Sequence, residues 1–156
     1  MPLQRRTLAG VVALLVAGTA CGSAQDGRDR ATDQARAAAA TTRTVVAEAA
    51  AAPSAKRGNA LAAALRTAVG DSQDRRIVFG SSSDTDGTVH LLVAFDGFDE
   101  SGGGGTFRQV RTRLCVEFVV PAGPAPEVEL RDHACSLELL EPTAPTRRAD
   151  LVVTLG

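Results

Sequence analysis

The chain has 156 residues, about one domain's worth, with 44% hydrophobic residues, 22% charged residues, a net charge of −1 and neither Trp nor Tyr. This composition excludes a collagen-like or disorder-dominated chain and a second large domain. It also lacks the basic excess that neutralises a nucleic-acid backbone, so no nucleic-acid partner is expected.

The first elements read as an export signal. Arg5 and Arg6 open the chain, and no acidic residue appears before Asp26. Leu8 to Ala17 is an uncharged apolar run of 10 residues. A membrane-spanning helix needs about 20. A positive start, a short apolar stretch and then small residues describe a secretory signal over residues 1–20 rather than a buried helix.

Gly18-Thr19-Ala20-Cys21 follows the apolar run. This tetrapeptide resembles the lipobox of bacterial lipoproteins, in which small residues precede a cysteine that becomes the first mature residue. The resemblance implies a diacylglycerol thioether on Cys21 and cleavage between Ala20 and Cys21. Gly18 stands where the family usually has Leu, and Gly18-Thr19-Ala20 also suits ordinary signal peptidase. That second route would leave a soluble secreted protein. Only one of the 17 basic residues is lysine (Lys56), and alanine is abundant. The bias resembles GC-rich coding, and the chain is similar to the small lipoproteins of streptomycete-type actinobacteria. The resemblance implies a place, the outer face of the cytoplasmic membrane, and no particular activity.

The cysteines agree with this reading. Cys21 lies at the signal junction, while Cys115 and Cys135 lie deep in the mature region. An odd count in an exported protein leaves one thiol to explain. Acylation of Cys21 explains it, and the other two are then free to pair in an oxidising compartment. Loss of residues 1–20 leaves 15 basic against 18 acidic residues, a net charge of −3. Such a domain gains nothing from an anionic membrane surface, so lipid must supply the attachment.

Residues 21–29 are polar and read as a tether. Residues 30–53 are alanine-dominated and form either a helix or a partly ordered stalk, with Pro53 ending it. Val45 and Val46 are its only large apolar residues. Residues 54–156 then read as an α+β domain. Ser54 to Val69 carries Leu61, Leu65 and Val69 at helical spacing, with Ser54 as N-cap and Gly70 as stop.

From Arg75 the pattern alternates. Arg76–Phe79 reads as a short strand, Gly80–Gly87 as a turn, and Thr88–Asp96, Arg108–Val120 and Glu127–His133 as half-buried strands. Leu151–Leu155 reads as the last strand, after a turn over Pro142–Pro145. The expected fold class is therefore α+β: one or two N-terminal Ala-rich helices packed on a four- to five-stranded antiparallel sheet with one disulfide. Cys115 and Cys135 fall on the same face, away from the core. A hairpin around Pro121–Pro126 that sets Cys115 opposite Cys135 also sets Val120 opposite Leu130 and keeps apolar residues inward.

Motifs for chemistry are sparse. Asp84-Thr85-Asp86-Gly87 matches the middle of a calcium loop, but Ser82 and Val93 stand at its two end ligand positions, so a solvated turn is expected. Asp96, Asp99 and Glu100 precede the run Gly102–Gly105 and read as a flexible acidic loop. That run has no Gly-Lys-Ser/Thr ending, so no phosphate cradle is expected. His90 and His133 lack the companions of a zinc site, and Ser81–Ser83 lack an elbow motif. Neither a metal, a cofactor nor a catalytic residue is expected. The resulting expectation is a non-enzymatic lipoprotein with a binding or accessory role. The competing one is an extracellular hydrolase using His90 or His133 with a carboxylate, which requires that histidine to lie in a cleft beside an acid.

Overall fold

The computed structural model describes residues 24–52, 57–70, 75–103, 106–141 and 148–156. The expected signal, Cys21, the Pro53–Ser54 junction and the Pro142–Pro145 turn lie outside the described residues. The fold is α+β, with helices packed on a five-stranded sheet and a Cys115–Cys135 disulfide.

Helix α1 spans Ala24–Ala51. It begins inside the stretch expected to be a tether, because Gly27 is already buried beside Asp99 and Val110 of the sheet. Gln25 donates to Asp29 within the first turns, and Arg30 reaches Asp99 of the sheet. The helix is docked and not a stalk. Its buried stripe is Gly27, Ala31, Ala35, Ala39, Thr42, Val46 and Ala50, at steps of three or four residues. Small side chains bring two backbones together. At Gly97 an added Cβ would lie 1.7 Å from the Ala31 carbonyl oxygen, so only glycine admits the helix there.

Helix α2 spans Asn59–Val69, starting later than Ser54, and buries Leu61, Ala62, Leu65 and Val69. Gly70 ends it as expected, at φ 63° with its N–H on Arg66 O. The strands are β1 (Arg76–Ser83), β2 (Val89–Gly103), β3 (Thr106–Val120), β4 (Glu129–Asp132) and β5 (Leu151–Val153); a short helix α3 (Leu137–Leu140) precedes β5. Val89, Leu91, Val93 and Phe95 of β2 face α1 and α2 together with Leu114, Val116, Phe118 and Val120 of β3. Phe95 and Phe118 meet edge to face, with ring centroids 6.3 Å apart.

Four expectations need correction. Gly80–Ser83 is strand, paired with Val89–Leu92 after an irregularity at Val78/Gly80, and the turn shrinks to Asp84–Thr88. The acidic stretch Asp96–Glu100 is ladder rather than loop, and pairing continues to Gly103↔Thr106. It stays in the ladder because its acids have partners: Asp96 on Arg113, Asp99 on Arg30, Glu100 on Gln109. β4 pairs Phe118 with Leu130 and Val116 with Asp132, two residues from the expected register. A shift of two keeps every side chain on its face, so the disulfide still forms. Cys135 lies beyond the end of β4 and returns to Cys115 at a Cα separation of 5.3 Å. Finally, β5 runs parallel to β3, pairing Thr112–Leu114 with Leu151–Val153 along the edge of β3 that β4 leaves open. Asp150 exchanges two bonds with the Arg111 backbone, and Arg36 donates to Thr154 O, which holds β5 in this direction.

Candidate functional site

The face of the sheet turned away from α1 carries the polar chemistry. Alternation puts His90, Leu92, Ala94 and Asp96 of β2 there, with Arg113, Cys115 and Glu117 of β3. Towards one end α3 covers this face, and a small apolar cluster of Ala94, Cys115 and Leu139 forms with Ile77, Phe79 and Cys135 around it. The disulfide therefore borders a second, minor core instead of projecting into solvent.

Under α3 lies an ion pair. Arg113 donates through Nε and a terminal nitrogen to both oxygens of Asp96, each at 2.6 Å, and its other terminal nitrogen donates to Leu139 O. Arg113 is 1% exposed and Asp96 7%. Fork-to-fork geometry satisfies a charge pair that burial would otherwise penalise heavily. The arrangement anchors α3 to β3. Arg113 had no signal of its own in the sequence, since an alternating charge on a strand face reads as a solvated one.

Beyond the disulfide the same face opens into a shallow groove of about 450 Å³. Ser81, Ser82, Asp84, His90, Leu92, Glu117 and His133 line it. The tight turn between β1 and β2 positions Asp84. Asp84 N–H donates to Thr88 O, Gly87 N–H to Asp84 O, and Thr88 N–H to the Asp86 carboxylate. That last bond holds Asp86 below the usual carboxylate range. Ser82 faces His90 across the β1–β2 ladder, and Glu117 comes from β3, opposite Leu92 and so two residues diagonal to His90.

Both nitrogens of His90 are engaged: Nδ1 lies 2.8 Å from Glu117 Oε1 and Nε2 3.0 Å from Asp84 Oδ2. Two carboxylates at the two ring nitrogens require two N–H donors, which is the imidazolium form. The Glu117 hydrogen bond raises the His90 pKa, partial burial opposes it, and the Asp84 bond adds to the rise. In this state neither nitrogen offers a lone pair, so His90 acts as a base only after one ring proton has left. His133 also lines the groove, tilted against Phe79 at 6.0 Å, with Nδ1 2.7 Å from Ala134 O.

The two histidines, separate in the sequence, thus share one groove, and of the two only His90 lies against acids. Their convergence needs the β3–β4 register, which hydrogen-bonds His133 N–H to Cys115 O. Among the described residues no group of three or more His, Cys, Asp or Glu is arranged to hold a metal. Asp96, Asp99 and Glu100, expected as a flexible acidic loop, instead bond to Arg113, Arg30 and Gln109. Cys21 lies outside the described residues, three positions before α1 begins. No helix among the described residues is long and apolar enough to cross a membrane. No protein-family model matches the chain, and no curated protein or solved structure does.

Proposed function

We propose that this chain is a lipid-anchored protein of the outer face of the cytoplasmic membrane, held by a diacylglycerol thioether on Cys21. Its role is non-enzymatic binding or assistance to another protein at that surface. One observation carries the reading. Cys115 and Cys135 form a disulfide, so Cys21, set immediately after an export-type apolar run, is the third thiol in the sequence. A stable disulfide fits an oxidising compartment.

The shape of the domain suits an anchor at that point. α1 starts at Ala24 and its first turns lie against Asp99 and Val110 of the hairpin. The groove lies near the start of β2, nine residues from Asp99, about 30 Å along an extended strand. Mass spectrometry of the membrane fraction tests the anchor. The expected result is an N-terminal peptide beginning at lipid-modified Cys21. An unmodified Cys21, or a chain beginning elsewhere and recovered from the medium, refutes it in favour of a released secreted protein.

A second reading rests on the groove itself, where His90 lies beside two carboxylates with Ser81 and Ser82 at hand. That constellation supports a hydrolase. Covalent labelling by a fluorophosphonate that is lost in Ser82→Ala or Ser81→Ala would favour it over the binding role.

A further inference from the structure

Two strands and a turn meet at His90, and the three side chains differ in exposure. The His90 side chain is 24% exposed, Glu117 20% and Asp84 60%. Asp84 belongs to a turn that has its own backbone bonds, while Glu117 is fixed in the middle of the sheet. A neutral imidazole has one N–H and one lone pair. When the proton leaves for solvent, only one of the two carboxylates keeps a donor, and the other meets a lone pair at the same distance. The exposed carboxylate is the one that water solvates at less cost.

We propose that His90 is a proton-operated latch: protonated, it ties the Asp84–Thr88 turn to Glu117 of β3; deprotonated, it keeps Glu117 and releases Asp84. Release leaves Nδ1–H on Glu117 and turns the Nε2 lone pair into the groove beside Ser81 and Ser82. The groove thereby changes from a closed imidazolium to an open acceptor. This deepens the second reading of the site and holds equally under the binding reading, because either use of the groove depends on which state is present.

The charged surroundings are few. From the turn, Asp84 and Asp86 face the ring, with Asp84 bonded to it and Asp86 acting at a distance. β1 contributes the uncharged Ser81 and Ser82. β3 contributes Glu117, and β4 sets Arg131 opposite Glu117 in the ladder, itself bonded to Glu129 at 2.6 Å. His133, just past β4, shares the groove. Arg131 pulls on Glu117 and so weakens, without removing, its hold on the ring.

The test is nitrogen-detected NMR of the folded protein across the neutral range. Above its titration His90 is expected as the Nδ1–H tautomer, with Asp84 carboxylate and Gly87 and Thr88 amide shifts moving with the same midpoint. Amide exchange at Gly87 and Thr88, corrected for intrinsic base catalysis, is expected to rise several-fold. Glu117→Gln lowers the His90 midpoint more than Asp84→Asn does. An Nε2–H tautomer, or turn shifts and exchange indifferent to the midpoint, overturns the latch. Asp84→Asn changes only an exposed turn residue, so it remains informative if Glu117→Gln or His90→Gln fails to fold. Under it the turn should lose its pH dependence, and retention of that dependence is equally fatal.

Discussion

The contact between Ala31 and Gly97 is the sharpest statement the fold makes, and Gly97→Ala tests it. An added Cβ would sit 1.7 Å from the Ala31 carbonyl oxygen and 2.7 Å from its carbonyl carbon. Both are backbone atoms of the helix, so no side chain can swing aside. To restore ordinary contact α1 must retreat by about 1.5 Å, and gaps of 0.5–1 Å already forfeit a quarter to a half of a dispersion contact. Overpacking typically costs about 1–3 kcal/mol, and a backbone collision belongs at the upper end, about 3 kcal/mol. At roughly 2–4 °C per kcal/mol for a domain near this size, the melting temperature should fall by about 6–12 °C.

Gly80→Ala is the matched control. Its Cβ meets the Leu92 Cδ1 at 2.9 Å, the far end of a flexible side chain, and its cost should stay near or below about 1 kcal/mol. With no Trp or Tyr in the chain, far-ultraviolet circular dichroism is the probe for both melts. If Gly97→Ala is as stable as Gly80→Ala, α1 does not press on β2 and the docked helix described above is wrong.

Three further outcomes follow from the same contacts. Replacing Cys115 and Cys135 by Ser opens a 20-residue separation and should cost about 3 kcal/mol in chain entropy, read by urea denaturation; an unchanged midpoint would contradict it. Asp96→Ala strands the buried Arg113 charge and should cost about 3–5 kcal/mol, whereas Asp96→Ala with Arg113→Met should cost less; an additive double loss would argue against a coupled pair. His90 titrates higher in the folded state than its unfolded value of 6.5, so its stabilising contribution is complete below that value. That contribution is lost as pH rises through the folded pKa, and a His90→Gln variant should show a flatter stability profile above pH 6.5 than the parent; equal slopes would remove the imidazolium from the account.

Much of the sheet is legible in the sequence, and particular residues show why. Val89, Leu91, Val93 and Phe95 alternate without a break, and so do Leu114, Val116, Phe118 and Val120, so strand, face and partner all follow from one period. With Cys21 set aside, Cys115 and Cys135 are the two thiols left to pair, and the parity that puts them on one face survives a register error of two. Leu61, Leu65 and Val69 announce α2 in the same way. The strand ends were not legible. Asp96, Asp99 and Glu100 look like a solvated loop until Arg113, Arg30 and Gln109 are seen opposite them, and those partners lie 9 to 69 residues away.

Periodicity in the chain thus determined what each segment is and which of its faces is apolar, because those properties depend on neighbours two to four residues apart. The tertiary structure alone decided how α1 uses its alanines, since close approach depends on a glycine 66 residues later in the sheet. It also decided that β5 runs parallel, and that His90, Asp84 and Glu117 converge. A hydrogen bond between distant residues leaves no local pattern; only the docked strands bring its donor and acceptor within 3 Å.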